Sequence, residues 1–404
     1  MNPAISHRRE KYFIVTLAGI QFCHLLDFMI MMPLGPILME ALGINSHEFG
    51  LLVASYSFSA AVSGILAATF VDRFDRKQLM LTIFFMFGIA TLACGLAPGY
   101  FTLLIVRGLT GAFGGIIGAL VQTMIGDVIP YSRRAKASGT ISTAFAVSTV
   151  AGVPLSLWLA TYFQWRAPFI FIVLLDLLLI LFGLRTLPKL RQHLTERRHA
   201  HPFSAMFEVL RNANHLRALL YSSLIIFSGF TIIPYITIYA VNNIGISQHD
   251  IPIVYLFGGT ATLFSARLIG HWADQYGKVK IYRWLALAAI FPLLLVTHIG
   301  VVSLPVWLIC TTSFFVLISG RMIPAITIIT SAAEPRLRGT FMSLNSTVQS
   351  LSMGMATMFA GAVMTQNTQG EIIGYHEVGY IAVSSNILAI LFVTRIVIHD
   401  RQGQ

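Results

Sequence analysis

The chain has 404 residues, of which 56% are hydrophobic and 11% charged, with a formal net charge of +11 and a mean hydropathy of +0.76. That balance excludes a soluble globular domain. It does not point to nucleic acid either. A groove reader gathers its cations on one face, whereas here Lys and Arg are divided among short loops between apolar segments, where basic residues hold anionic lipid.

A helix needs about 20 largely apolar residues to cross a bilayer, and stretches of that length recur along the whole chain. The pattern predicts spans over 12–39, 48–71, 78–97, 100–126, 135–162, 167–187, 215–241, 250–272, 281–300, 303–330, 337–364 and 376–397. Helices are expected rather than barrel strands, which alternate in polarity over about 10 residues. The run from Phe169 to Gly183 is apolar all round except for Asp176. The first run follows His7-Arg8-Arg9-Glu10-Lys11, a basic flank of the kind that precedes a secretory signal. It is too long for one, contains Asp27, and is not followed by a small-residue cleavage site, so it reads as the first span.

Orientation follows from Lys and Arg, which collect on the cytoplasmic side of short loops. Arg73, Arg76 and Lys77, then Arg133, Arg134 and Lys136, the 185–217 connection, Lys278, Lys280 and Arg283, and Arg336 and Arg338 fall on alternate loops. The opposite loops lack them apart from Arg166. An even number of crossings then puts both termini in the cytoplasm of a cell whose inner membrane holds the protein. Cys23, Cys94 and Cys310 all lie inside spans and read as small buried apolar residues, with no disulfide framework, metal site or cofactor expected.

Duplication organises the rest. Ala68-Thr-Phe-Val-Asp72-Arg73-Phe-Asp75-Arg76-Lys77 follows the second span, and Gly270-His-Trp-Ala-Asp274-Gln-Tyr-Gly277-Lys278 follows the eighth, at a spacing of 202 residues. Phe28 to Pro33 in the first span is echoed by Phe230 to Pro234 in the seventh, and Arg134 after the fourth by Arg338 after the tenth. Two halves are therefore expected: a six-helix bundle over 1–187, a polar, basic cytoplasmic linker over 188–214 with one amphipathic turn on the lipid surface, and a second bundle over 215–404. Duplicated halves of this kind build one central site at their interface.

These motifs make the chain resemble the major facilitator superfamily, in particular its drug:proton antiporters with twelve transmembrane helices. The family's loop motif is Gly-x-Leu-Ala-Asp-Arg-x-Gly-Arg-Lys. Asp72, Arg73, Arg76 and Lys77 match it, while Ala68 and Asp75 stand in place of its glycines. The second copy keeps Gly270, Asp274, Gly277 and Lys278. The resemblance implies an all-α membrane fold of two pseudo-symmetric six-helix halves, and loops that act as conformational latches. It also assigns Arg107 of Arg107-Gly-Leu-Thr-Gly111 to the arginine of the fourth span. Gly152 and Pro154 fall to the glycine-proline pattern of the antiporters' fifth span, which Val153 and Ser156 match only in part.

Ionisable residues within spans are costly and mark function. Asp27 lies 15 residues into the first span, roughly 22 Å deep at 1.5 Å per residue, with His24 on the same helix face. Burial favours its neutral form and a nearby cation its charged form, and a proton carrier must change that balance during its cycle. Arg107 is the natural cation, entering from the other side, and His24 shares or tunes the titration. A structural ion pair that never titrates is the alternative.

Arg321 in the tenth span either attracts an anionic group of the substrate or pairs with an acid such as Asp176. Asp176 itself reads as an unpaired acid in the outer scaffold. Gln21, Tyr56, Tyr235, Tyr239, Asn345 and Gln349, mixed with Phe, Met and Leu, suit an amphipathic solute. Pro33, Pro36, Pro154, Pro234 and Pro324 mark bends, and Gly111, Gly114, Gly115 and Gly118 allow close helix packing.

No phosphate-binding Gly-x-x-x-x-Gly-Lys-Ser/Thr loop is present, so the energy source is a gradient rather than ATP. The reading is a monomeric multidrug-type efflux antiporter whose partners are protons, a small-molecule substrate and the lipid bilayer. A dedicated exporter of one sugar, amino acid or siderophore fits the same helices. A non-transporting membrane receptor is the remote alternative, and no enzyme constellation is present.

Overall fold

The structure, a computed structural model, describes residues 7–188, 190, 202–334 and 336–398. It is almost entirely helical and forms the twelve spans, several of them broken where proline removes a backbone donor. The first span is α1 (His7–Ile30) and α2 (Gly35–Leu42). Pro33 has no N–H for the Met29 carbonyl, and Pro36 opens α2, so residues 31–34 form turns. Gly43, at φ 63°, ends α2 in the left-handed region. Asn45 then starts α3 (Ser46–Phe70) through a reciprocal capping box with Glu48.

The third and fourth spans are α4 (Arg76–Gly95) and α5 (Tyr100–Val128). The fifth joins α6 (Tyr131–Val147) to α7 (Val153–Tyr162) through a π-turn over Ser148–Gly152, where Val153 N–H reaches back five residues to Ser148 O. Pro154 follows directly and cannot close a regular turn. The sixth is α8 (Ala167–Thr186).

Of the expected linker, residues 189 and 191–201 lie outside the described residues. The rest is not an open loop. It forms α9 (Pro202–Arg211), packed on α10 (Ala213–Phe230). Arg336 pairs with Glu208 on α9 and with Glu334.

The seventh span continues past a turn at 231–235 into α11 (Ile236–Tyr239) and a second π-turn ending at Gly245, φ 84°. Pro234 leaves the Phe230 carbonyl without its helical donor, and the Thr357 hydroxyl donates to it at 3.4 Å. The remaining spans are α12 (Ile251–Tyr276), α13 (Lys278–His298), α14 (Leu304–Gly320) with α15 (Met322–Ala332), α16 (Arg338–Val363) and α17 (Tyr375–Phe392). A small hairpin, β1 (Thr365–Gln366) and β2 (Ile372–Ile373), fills the loop before α17.

Among the described residues, ten helical runs are long and apolar enough to cross a membrane by length and composition alone. The seventh and eleventh spans fall short because α10 opens with Asn214, His215 and Arg217, and α16 is rich in Ser, Thr, Asn and Gln.

The apolar core shows how the halves meet. Call the end bearing α1's start the basic face. At the opposite face one continuous core joins Leu34, Ile44 and Phe49 of the first half to Tyr235, Ile238 and Met364 of the second. Toward the basic face the second half keeps a separate core of its own around Tyr221, Tyr282, Ile328 and Phe341. Gly35 lies against Ile238, Gly50 against the Thr357 carbonyl and Gly354 against Phe58, so the halves touch closely from the opposite face to mid-bundle.

Candidate functional site

Asp27 occupies the last turn of α1, just before the break at 31–34, and Arg107 lies seven residues into α5. Both side chains are fully buried, and Arg107 Nη1 donates to Asp27 Oδ2 at 2.8 Å. Thr91 on α4 donates to the other carboxylate oxygen at 3.4 Å. The guanidinium carbon stands 4.7 Å from the centroid of the Tyr56 ring, within cation–π range. Arg107 Nε and Nη2 have no hydrogen-bond partner among the described residues.

His24, one turn before Asp27, stacks on Tyr56 at 6.3 Å and meets the Phe87 edge at 6.1 Å. Its Nδ1 is buried without a hydrogen-bond partner among the described residues. The arrangement ties α1, α4 and α5 together through one charge. Protonating Asp27 removes that charge and leaves Arg107 with the Tyr56 ring and only a neutral acceptor, so the tie weakens.

The expected cavity residues divide. Gln21 is half-buried on the His24 face of α1, and Tyr56 is part of the ion-pair cluster. Asn345 is buried, its Oδ1 without a partner among the described residues, and Gln349, one turn along α16, donates to Ser222 Oγ at 3.0 Å. Tyr235 stands elsewhere. Its hydroxyl donates to Thr357 O at 2.8 Å and lies 3.5 Å from Ser46 O in the first half, so it is wedged into the seam at the opposite face. Tyr239 donates to Ile299 O at 2.8 Å and packs on Tyr375 within the second half.

The pairing of Arg321 with Asp176 does not occur. Arg321, at the break between α14 and α15, donates to Asn386 Oδ1 on α17 and, at 3.3 Å each, to Ile225 O and Ser228 Oγ on α10. Asn386 in turn donates to Ala286 O at 2.7 Å. Asp176 belongs to the other half and packs between α1 and α4. Ser228 follows Asp27 at 201 residues, the offset that relates Pro33 to Pro234. Each half thus ends an arginine on the same turn of its first helix, with an acid in one half and neutral partners in the other.

In the first loop motif, Arg76 pairs with Asp127 at 3.2 Å and donates to Val71 O at 2.7 Å, and Lys77 donates to Leu184 O at 2.6 Å. Arg73 is exposed, and the Asp72 side chain lies outside the described residues. Asp75, which replaces a glycine of the motif, is the N-cap of α4, accepting from Lys77 N–H at 2.9 Å. In the second copy Gly277 sits at φ 94°, which requires glycine. Gly270 has open space around it, and Asp274 and Lys278 form an exposed pair at 3.5 Å. Gly152 ends the π-turn against Leu26 and Phe22 of α1.

Thr91, Asp127 and Asn386 were missed in the sequence. Asp127, a carboxylate at the C-terminal end of α5 where the helix dipole disfavours it, carried a readable signal. Asn386 stood out only as an amide in an apolar run, and Thr91 not at all.

A bundle of twelve spans in two related halves, with a buried charge cluster in place of catalytic machinery, is the architecture of a membrane transporter. The sequence profile of the Major Facilitator Superfamily matches residues 17–357, and the chain belongs to that superfamily. It is accordingly a multi-pass membrane protein that transports small molecules rather than an enzyme.

Over 156 residues, 39% of this chain and 29% of the relative's length, it is 32% identical to the uncharacterised MFS-type transporter YhcA of Bacillus subtilis. It is 23% identical to YceJ of the same species, covering 88% of this chain and 90% of that one. It is 24% identical to the multidrug resistance protein MdtG of Escherichia fergusonii, covering 83% and 84%. Among solved structures, a bacterial homologue of the human lysosomal transporter Spinster shares the fold with a TM-score of 0.75 at 16% identity, over 97% of this chain and 98% of that one. The nucleoside transporter NupG shares it with a TM-score of 0.75 at 12% identity, over 96% and 99%.

Proposed function

We propose that the protein is a proton-coupled antiporter that exports small amphipathic compounds across the cell membrane by alternating access, with the basic face and both termini in the cytoplasm. The observation that carries this reading is the Asp27–Arg107 pair, two opposite charges with no exposed surface holding α1 to α5. A buried pair of this kind is a weak source of stability. It is a good switch, because one proton removes the attraction. His24 stands close enough to share the titration, so the pair and the histidine respond as a unit.

The basic loops support the orientation, and the 24% identity to MdtG supports a multidrug range of substrates. In this scheme the aromatic and amide groups of Tyr56, Asn345 and Gln349, with Gln21, meet the solute. Tyr235 closes the outer end. The loop motifs at Asp72 to Lys77 and Gly270 to Lys278, and the π-turn set by Gly152 and Pro154, give way as the halves rock.

The test uses purified protein in lipid vesicles holding a pH step, with ethidium, a lipophilic cation, as probe. Wild type is expected to move protons when ethidium is added, and Asp27→Asn to bind the dye without moving them. Normal coupling in Asp27→Asn overturns the role given to that acid. Competition by chemically unrelated compounds separates a multidrug exporter from one dedicated to a single metabolite.

A further inference from the structure

Asp176 is an acid that the coupling scheme leaves unused. It sits in the middle of α8, 1% exposed, and neither carboxyl oxygen has a hydrogen-bond partner among the described residues. Two helices define its surroundings. On α4, Gly88 lies beside it, where a methyl group would be in ordinary contact with Asp176 Oδ2 at 3.5 Å. On α1, the Cys23 thiol lies against it.

Each of these neighbours is one turn from the ion pair. Thr91 lies three residues beyond Gly88 and donates to Asp27 at 3.4 Å, and Cys23 lies four residues before Asp27. Residues so spaced stand about 5–6 Å apart on one helix face. Two independent helices therefore bring the carboxyl groups of Asp176 and Asp27 to within roughly a turn of each other. The other titratable groups at the cluster are Cys94 on α4, Tyr56 on α3 and Arg107 on α5, all beside Asp27, and His24 on α1, stacked on Tyr56. Helix α7, which also packs on α8, has no charged side chain.

We propose that Asp176 is a second proton-binding carboxyl that exchanges its proton with Asp27 by way of the Thr91 hydroxyl and the Cys23 thiol. The inference rests on the proton-coupled reading of Asp27 and deepens it. Arg107 compensates Asp27, so a second carboxylate would stand uncompensated away from water, and the cluster holds one proton, on Asp176. Transfer breaks the O–H bond on Asp176 and forms one on Asp27. The net charge of the cluster is unchanged, and the new carboxylate on Asp176 has the Cys23 thiol beside it as a donor. Asp27 then exchanges a proton without the site losing its only carboxylate.

Infrared spectroscopy of the purified full chain, without substrate, tests this directly, because a protonated carboxyl has a carbonyl stretch distinct from carboxylate and amide bands. Wild type and Asp27→Asn are expected to show that band, Asp176→Asn to lose it, and Asp176→Glu to shift it. On transfer to heavy water the band shifts as the proton exchanges, and Asp27→Asn is expected to slow that exchange. Absence of the band in wild type, or equal exchange in wild type and Asp27→Asn, overturns the proposal. In ethidium-loaded vesicles, Asp176→Glu is expected to keep the protons moved per dye and Asp176→Asn to change them. A wild type that moves no protons defeats the coupling role of Asp27 instead, and leaves the infrared result to decide Asp176.

Discussion

At Gly111, Gly114 and Gly115 the helix α5 comes closest to its neighbours. A methyl group on Gly111 would stand 2.6 Å from the Tyr56 Cα and 2.8 Å from its carbonyl carbon, and one on Gly115 would stand 2.9 Å from the Ala60 Cα. These are backbone atoms, which cannot move aside as a side-chain tip can. Gly114 instead faces the His24 ring, 2.8 Å from Nε2. Gly118, grouped with them by spacing, has no atom within 4 Å of the same position and plays no part in the approach. Gly111→Ala is therefore expected to destabilise the protein by about 1–3 kcal/mol through overpacking. Gly118→Ala is expected to gain up to about 1 kcal/mol from helix propensity. Thermal unfolding in detergent measures both, and an unchanged Tm for Gly111→Ala would mean that α3 and α5 do not touch this closely.

Among the elements, the two loop motifs show how a repeat diverges without losing its shape. Asp75 and Gly277 are related by the 202-residue offset, yet one caps α4 through its carboxylate and the other turns the chain at φ 94°. Exchanging them is expected to be unequal. Asp75→Gly keeps a residue tolerated at an N-cap and costs a few tenths of a kcal/mol, whereas Gly277→Asp forces a side chain into a glycine conformation and costs about 1–3 kcal/mol. Unfolding midpoints of the two variants check the difference.

What the sequence made legible follows the same physics. Asp27 and Arg107 were readable because a charge inside an apolar run needs a reason. The breaks were readable because Pro33, Pro154, Pro234 and Pro324 each remove a donor. Thr91 was not readable, since hydroxyls in these helices mostly bond their own backbone, as Thr297 and Thr311 do. The partner of Arg321 was not readable either, because Asn386 carries no charge. The hairpin at 365–373 is too short to show a period of two. Asn243 holds it through paired bonds with Ile372 at 2.9 Å.

For the whole molecule, the controlling feature is the seam at the opposite face, where Tyr235 from the second half reaches Ser46 of the first. Gly361 on α16 lies beneath that contact, and a methyl group on it would stand 2.9 Å from Ser46 O and 3.3 Å from the His47 Cα across the seam. A larger side chain there opposes closure of this face, and within its own half it meets the hydroxyl end of Tyr235. Gly361→Val is thus expected to weaken the closed arrangement by about 1–3 kcal/mol, a shift of roughly 5- to 150-fold in the balance between conformations. Spin labels at Phe101 and Val301, which are 76% and 82% exposed on opposite halves of this face, report the result as a distance. The distribution should gain a longer component in Gly361→Val, while Gly118→Ala leaves it unchanged. A single unchanged distance in Gly361→Val would show that the seam does not govern the opening of this face.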